Sequence, residues 1–319
     1  MRANLENKKL PVIFLMGPTA SGKTDLAISL IDHLPVELIN VDSAQIYQQM
    51  DIGTAKPDAE TLKKAPHRLL GFCDPADAYS AADFAIDAKK EIVDIHNAGR
   101  IPLLVGGSML YFKVLLKGLS DLPTANAGIR KSIQEQADKE GWASIHQQLQ
   151  LVDPITAEKL HPNHSQRIQR ALEVYKITGL PLSALQSQSS GGIEDHYDVR
   201  QYALVMQNRA LLHQRIEQRF MAMMDAGFAD EVAALFQRGD LNADLPSIRA
   251  AGYRQLWDYF EGHYGLDKAV EKAIIATRQL AKRQQTWLRN WPNSQEITVD
   301  NEQGYLDKKK LYENFLGLQ

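Results

Sequence analysis

The apolar run Val12-Ile13-Phe14-Leu15-Met16 passes directly into Gly17-Pro18-Thr19-Ala20-Ser21-Gly22-Lys23-Thr24, which fits the pattern G-x-x-x-x-G-K-[ST]. In this pattern the glycines let backbone N–H groups turn inward around phosphate oxygens, the lysine adds a mobile positive charge, and the last hydroxyl can ligate Mg²⁺. Helix-forming residues resume at Thr24-Asp25-Leu26-Ala27-Ile28-Ser29-Leu30, so the loop opens a helix whose dipole favours an anion. A strand before and a helix after argue against a merely structural glycine turn. The loop names a ligand class, a phosphorylated compound, and leaves open which one.

Outward from the loop, the first hundred residues alternate strand and helix in the manner of a parallel sheet: strand 11–16, helix 22–34, strand 36–41, helix near 80–98 and strand 101–105. Pro35 is expected to end the first helix, Ser80 to cap the second with Asp83 in its first turn, and Gly99 to close it. Asp42 falls at the carboxyl end of the second strand, the edge where open α/β sheets bind ligands. After Gly118 the pattern turns to glutamine-rich helices, ending at Ser187-Gln188-Ser189-Ser190-Gly191-Gly192, which reads as a linker. Arg200 to Met206 reads as a strand returning to the sheet. The fold class is therefore α/β, a phosphate-loop core with a parallel sheet flanked by helices, plus a mostly helical insertion. The boundaries expected are 1–118 for the first part of the core, 119–198 for the insertion and 199–319 for the rest of the core with basic C-terminal helices. Leu211 to Phe236 reads as one amphipathic stretch and 268–290 as a long basic helix.

Composition narrows the function by exclusion. The chain has 319 residues, 44% hydrophobic and 24% charged, with a net charge of −3; this is an ordinary globular balance, and no overall basic field exists to bind nucleic acid indiscriminately. One cysteine, Cys73, forbids an internal disulfide or a cysteine zinc cluster and is expected in the core. The apolar stretch after Lys8-Lys9 is too short for a signal segment and no span approaches about 20 apolar residues, so the expectation is a cytoplasmic protein without a membrane partner. Charge is nevertheless segregated: Lys272, Arg278, Lys282, Arg283 and Arg289 lie in a stretch with no acid, and Lys159, His161, His164, Arg167, Arg170 and Lys176 are interrupted only by Glu173.

Chemistry beyond the loop needs a group that activates an acceptor. Asp42 is the leading general base, with a turn-capping carboxylate as the alternative. Ser43 and Gln45 follow on the same loop, where an amide can read a base edge or merely be solvated. The strand Ile101-Pro102-Leu103-Leu104-Val105 ends in Gly106-Gly107-Ser108 instead of the acid that phosphate-loop hydrolases use, which disfavours a motor or switch. Arg215 and Arg219 share one helical face, where an arginine can clamp a diphosphate; exposed ion pairing is the alternative. Met221, Met223 and Met224 are expected in the core. On the basic helix Arg278, Lys282, Gln285 and Arg289 share a face suited to a phosphodiester backbone, with Leu280, Trp287 and Leu288 facing inward. Arg249 to Arg254 pairs two arginines with Tyr253, a combination suited to phosphate contact and base stacking.

Six ordered segments then accumulate: Gly17 to Thr24, Val41-Asp42-Ser43-Ala44-Gln45-Ile46-Tyr47, Asp51-Ile52-Gly53-Thr54-Ala55-Lys56-Pro57, Pro66-His67-Arg68-Leu69, Val105-Gly106-Gly107-Ser108-Met109-Leu110-Tyr111 and Arg278-Gln279-Leu280-Ala281-Lys282-Arg283-Gln284. Together they closely resemble the bacterial tRNA dimethylallyltransferases over roughly residues 11–290. The resemblance implies transfer of a dimethylallyl group from its diphosphate to the exocyclic amine of the adenosine just 3′ of the anticodon, in tRNAs reading codons that begin with U. It implies Mg²⁺ as cofactor on Thr24, tRNA and dimethylallyl diphosphate as partners, and a monomer. It assigns the diphosphate to Gly17, Pro18, Thr19, Ala20, Ser21, Gly22, Lys23 and Thr24, the proton acceptor to Asp42 and a diphosphate contact to Arg219. It assigns tRNA contact to Asp42, Ser43, Ala44 and Gln45; to Ser108 and Arg130; and to Gln166, Arg167, Ile168, Gln169 and Arg170. It adds Arg249, Ala250, Ala251, Gly252, Tyr253 and Arg254, and Lys282, Arg283, Gln284, Gln285, Thr286, Trp287, Leu288 and Arg289. Ser108 stands where the family usually has threonine and Gly71 where it often has an acid. A small-molecule or nucleotide kinase using the same loop for ATP is the chief alternative, and a non-catalytic RNA-binding module leaves the loop and Asp42 without purpose.

Overall fold

Five consecutive buried side chains, Val12 to Met16, leave β1 (Pro11–Met16) no solvent face, and such a strand needs partners on both edges and cover on both faces. It finds them in a six-stranded sheet in the computed structural model, which describes residues 9–120, 122–186 and 189–299. The chain continues through α1 (Lys23–Ile31), β2 (Val36–Val41), α2 (Ala59–Lys64), β3 (His67–Arg68), α3 (Ala81–Asn97), β4 (Ile101–Gly106) and α4 (Met109–Lys117). An excursion follows, with β5 (Gly118–Ser120), α5 (Ala127–Glu140), α6 (Trp142–Val152), α7 (Pro154–Glu158), α8 (Ser165–Thr178), α9 (Leu182–Gln186) and β6 (Ser189–Gly191). The chain then returns as β7 (Asp198–Val205), α10 (Arg209–Asp225), α11 (Phe228–Gln237), α12 (Tyr253–Phe260), α13 (Leu266–Arg289) and β8 (Gln295–Thr298).

The sheet order is β3-β2-β4-β1-β7-β8, and every neighbouring pair is parallel. Met16 and Val41 both stand opposite Gly106 in register, so β1, β2 and β4 finish level at one carboxyl edge, where the phosphate loop and Asp42 begin. Parallel strands meet here only because Gly106 lacks a side chain: a Cβ on it would lie 1.9 Å from the Val41 carbonyl oxygen. One face of the sheet packs on Leu26, Ala27 and Leu30 of α1 with Leu212 and Ile216 of α10. A second core gathers Ile46, Tyr47 and Met50 with Phe228, Val232, Tyr253, Leu256 and Trp257.

Several local expectations meet a different outcome. The first helix stops at Ile31, ahead of Pro35, whose carbonyl instead accepts a hydrogen bond from the Ile101 N–H at 2.8 Å and helps pin β2 beside β4. The stretch Leu211 to Phe236 is two helices, because Gly227 at φ 95° breaks it. Ser80 caps α3 as expected, in a reciprocal capping box with Asp83. Cys73 is half-buried at the rim of the second core, not within it. The supposed linker is partly a strand: β6 pairs antiparallel with β5, while residues 187 and 188 of that reading lie outside the described residues.

Contacts divide the chain into two compact units, Met1–Leu115 with Ile193–Gln319, and Leu116–Gly192. The second unit has its own core of Ile133, Ile145, Leu149, Ile168, Leu172 and Val174. At its centre Glu173 is fully buried and accepts hydrogen bonds from the Asn126 N–H (2.7 Å), Arg130 Nε (2.9 Å) and Arg170 Nη1 (2.7 Å). Burial alone would raise its carboxyl pKa, but the bonds from Arg130 and Arg170 hold it below the usual range.

The Gly106 contact gives a direct test. Gly106→Ala should push β4 away from β2 and lower stability by about 1–3 kcal/mol, read as a fall in the denaturant midpoint at unchanged slope. An unchanged midpoint would show that the strand ends have room to spare.

Candidate active site

The phosphate loop is shaped by backbone geometry that few residues tolerate. Gly22 at φ 82° caps α1 without a side-chain bond, and Ala20 at φ 62° shares the left-handed region. Lys23 and Thr24 therefore open α1, whose first N–H groups have no partner within the helix and point toward the carboxyl edge. The loop's base is fixed by the Gly17 N–H on the Gly106 oxygen at 3.2 Å. Its lip is fixed from far along the chain, because the Thr19 N–H donates to Gln284 Oε1 at 2.9 Å. Ser21 Oγ is buried inside the loop with no hydrogen-bond partner.

Asp42 begins the neighbouring loop, where its Oδ1 accepts the Ala44 N–H at 2.9 Å. Ser108 steadies this loop on both sides. Its N–H donates to the Val41 oxygen at 3.2 Å, its Oγ accepts the Ser43 N–H at 2.9 Å, and its hydroxyl donates to Ser43 Oγ at 3.1 Å. Gln45 departs from the base-reading expectation: its Nε2 donates to the carbonyls of Thr54 and Ala55 at 3.0 and 3.2 Å, so both amide hydrogens hold the 51–56 loop.

A cleft opens between these loops, lined by the polar residues Thr19, Asp42, Thr54, Arg219, Thr277 and Gln284 and by the apolar residues Ile216, Phe220, Met223, Ala250, Ala251 and Leu280. Burial lowers the Lys23 ammonium to about 8; Asp42 opposes that shift and Arg219 adds to it. Arg219 is likewise lowered by burial against the pull of Asp42 and Asp25. Two cations with lowered pKa values beside one carboxylate form a site short of negative charge. Of the two arginines on that helical face, Arg219 lines the cleft and Arg215 does not. Met223, expected in the core, lines it as well. The lining contains no histidine or cysteine; Asp42 within it and Thr24, which opens α1 outside the lining, offer hard oxygen atoms, the donor chemistry that suits Mg²⁺ shared with a ligand's phosphates.

A model of the IPP transferase family matches residues 45–291. The chain belongs to this family. Among solved structures, it is 34% identical to the full-length tRNA isopentenylpyrophosphate transferase of Bacillus halodurans, over 97% of this chain and 96% of that one, with a TM-score of 0.69. The tRNA delta(2)-isopentenylpyrophosphate transferase of Staphylococcus epidermidis is 30% identical over 98% of this chain and 100% of that one, with a TM-score of 0.68. A eukaryotic dimethylallyltransferase acting on tRNA shares the fold, with a TM-score of 0.81 over 97% of this chain and 80% of that one, at 24% identity. As an IPP transferase the protein is a prenyltransferase, and the amphipathic cleft is its candidate active site.

The transferase's basic helix α13 carries its cations on an exposed face: Lys282, Arg283 and Arg289 are all exposed, as is Thr286. Three expectations for this helix need correction. Trp287 does not face inward but is 38% exposed, with Lys113 Nζ 5.9 Å from its ring centroid. Arg278 is not in an acid-free setting, since Glu217 of α10 pairs with its Nη2 at 2.7 Å. Gln284 is buried and Gln285 donates to the Met206 oxygen at 3.0 Å, so both amides are engaged within the fold, while Leu288 is buried as expected.

The Arg249–Arg254 segment likewise divides. Arg249 is exposed and Ala250 and Ala251 line the cleft, but Tyr253 is fully buried, where it cannot stack on a base. Its hydroxyl donates to Glu231 at 2.6 Å, while Arg254 is tied to Asp258 at 2.9 Å and to the Ala243 oxygen at 2.7 Å. Gly252 at φ 92° opens α12. In the second unit Gln166 and Arg167 are exposed, Ile168 is buried, and Gln169 donates to the Arg130 oxygen at 3.0 Å. Arg130 and Arg170 are engaged by Glu173.

Sequence reasoning missed Glu231. Its carboxylate accepts the N–H groups of Asp51, Ile52 and Gly53 at 2.9, 2.7 and 3.1 Å as well as the Tyr253 hydroxyl. This anchors the turn that presents Gly53 and Thr54 to the cleft. A carboxylate 178 residues away leaves no local signal; only the glycine in Asp51-Ile52-Gly53-Thr54 hints at a tight approach, and a Cβ there would meet the Phe228 ring at 2.0 Å.

The Lys23 ammonium is charged below about 8 and neutral above it, and a diphosphate bound against it would draw the proton back. Affinity for dimethylallyl diphosphate should thus be level below pH 8 and weaken by up to about tenfold per pH unit above it. Calorimetric titration should find proton uptake in the same window, and Lys23→Arg should flatten the profile. A flat wild-type profile from pH 7 to 9.5 would acquit Lys23.

Proposed function

We propose that this enzyme transfers a dimethylallyl group from dimethylallyl diphosphate to the exocyclic amine of the adenosine 3′-adjacent to the anticodon, in tRNAs that read codons beginning with U, in the cytoplasm. The observation that carries this reading is the cleft itself. Its lining brings the Arg219 cation, Thr19 and Gln284, suited to a diphosphate, together with Ile216, Phe220, Met223 and Leu280, suited to a short hydrocarbon. A kinase has no use for these apolar side chains beside its transferring phosphate.

The proposed chemistry breaks the allylic carbon–oxygen bond and forms a carbon–nitrogen bond, while the amine proton passes to Asp42 and pyrophosphate departs. An adenine amine is a poor nucleophile because its lone pair is delocalised into the ring, so a base placed to take its proton contributes about 10²–10⁴-fold. Lys23, Arg219 and the N–H groups of Gly22 to Thr24 meet the charge that grows on the leaving oxygens. Thr24, with Asp42 nearby, is the candidate holder of Mg²⁺, which when bound would supply further charge neutralisation at those oxygens. The target base must leave its stack in the anticodon loop to reach the cleft, which Asp42 and Ala44 of the Asp42 loop line. The exposed cations of α13, with Arg249, Gln166 and Arg167, are proposed to contact the tRNA backbone.

Incubation with dimethylallyl diphosphate, Mg²⁺ and unmodified tRNA should label the tRNA; labelling only from the γ-phosphate of ATP would instead favour the kinase. Asp42→Asn should keep tRNA affinity within about threefold and lower turnover by about 10²-fold or more. Equal loss of both would make Asp42 a structural cap. Replacing Lys282 and Arg283 together by alanine should reduce the salt dependence of tRNA binding by about one unit of log–log slope per lost phosphate contact, and an unaltered slope would remove α13 from the interface.

A further inference from the structure

Gln284 sits on the basic helix but turns its side chain away from the exposed cations on either side of it. It is 8% exposed, and both ends of its amide are used. Oε1 accepts the Thr19 N–H at 2.9 Å, and Nε2 donates to the Gly107 oxygen at 3.0 Å. The fit is tight, since a Cβ on Gly107 would lie 2.3 Å from Nε2. Only a glycine at 107 admits the amide.

The two segments that the amide joins are the two halves of the candidate active site. Thr19 belongs to the phosphate loop and lines the cleft. Gly107 is followed by Ser108, which holds the Val41 oxygen and the Ser43 N–H, the groups flanking Asp42 on either side. A continuous chain of bonds therefore runs from the lip of the diphosphate loop, through the Gln284 amide, to the residues that bracket the proposed base. The backbone bond from Gly17 to Gly106 fixes only the root of the phosphate loop. Among the described residues, no other hydrogen bond ties its lip to the Asp42 side.

We infer that Gln284 is a positioning residue: it holds the leaving-group loop and the base loop at the separation that group transfer requires, and it makes no tRNA contact of its own. This rests on the reading of Asp42 and the phosphate loop given above. The chemistry needs it because a base and a leaving group on separate strands gain their advantage only when the reacting atoms are held in near-attack geometry, and small displacements are costly. An amide suits the task because it alone among neutral side chains of this length offers a donor and an acceptor side by side.

Two variants test this. Gln284→Met keeps the length and loses both bonds; it should reduce kcat/KM for dimethylallyl diphosphate by about tenfold or more, with tRNA affinity within about twofold of wild type. Gln284→Glu should be impaired at neutral pH and recover relative to wild type as the pH is lowered, because the protonated carboxyl again presents an acceptor beside a donor. A side chain that merely fills space would give full activity in the Met variant and no recovery in the Glu variant. Wild-type kcat/KM in Gln284→Met, or a loss confined to tRNA affinity, would overturn the inference. Titration with inorganic pyrophosphate separates this from the functional reading: if the wild type modifies no tRNA yet binds pyrophosphate about tenfold more tightly than Gln284→Met, the strut stands and the proposed reaction falls. Should Gln284→Met not fold, the pH profile of Gln284→Glu decides alone.

Discussion

The absence of a side chain at Gly106 is the constraint on which the active site rests. With the Val41 carbonyl oxygen only 1.9 Å from where a Cβ would be, any other residue would part β4 from β2, and with them the loops that carry Ser108 and Asp42. Gly107 extends the same economy of space by one residue, admitting the amide of a helix that arrives 177 residues later. Two glycines at a strand end thus let four remote segments converge: the phosphate loop, the Asp42 loop, the β4 turn and α13. The hydrolase acid that many phosphate-loop proteins carry at this edge is sterically incompatible with that convergence. Reaction class and backbone packing are in this sense one choice.

Electrostatics completes the arrangement. Lys23 and Arg219 are both drawn down from their usual pKa values by burial, and Asp42 only partly offsets this. A free site of this kind is under-neutralised, so an arriving diphosphate gains attraction that solvated cations would not give. The same two cations stand beside the proposed base, and departure of pyrophosphate removes the negative charge that balanced them.

How much of this was legible in the sequence follows from the range of each interaction. The phosphate loop, the alternating strands and helices and the place of Asp42 are written in short-range patterns: apolar runs, glycine spacing and caps such as Ser80 with Asp83. Family resemblance added the roles. What stayed hidden is long-range or depends on an element's facing side. Glu231 serves a turn 178 residues away, and nothing local to Tyr253 reveals that Glu231 and Phe228 bury it. On α13 Trp287 is exposed where an inward position is expected, and Gln284 is buried, since a helix of this length with few large apolar residues does not fix its own inward face by periodicity alone. The strands β3 and β8, two and four residues long, are too short to carry an alternation, and β6 reads as a linker in sequence because serine and glycine seldom signal a strand.

One further feature concerns how the helical unit is carried. The chain leaves the core at Leu115 and re-enters at Ile193, and these two residues are already hydrogen-bonded neighbours, the Ile193 N–H donating to the Leu115 oxygen at 3.0 Å. To the sheet, everything between them is a closed loop. The entropy of closing such a loop grows only with the logarithm of its length, about 0.6 kcal/mol for each doubling, and Leu116–Gly192 offsets its own ordering with a separate core. The α/β core is thus nearly indifferent to what is threaded through that point, so the inserted unit can lengthen, shrink or change its surface over evolutionary time without disturbing the strand ends where the chemistry is placed.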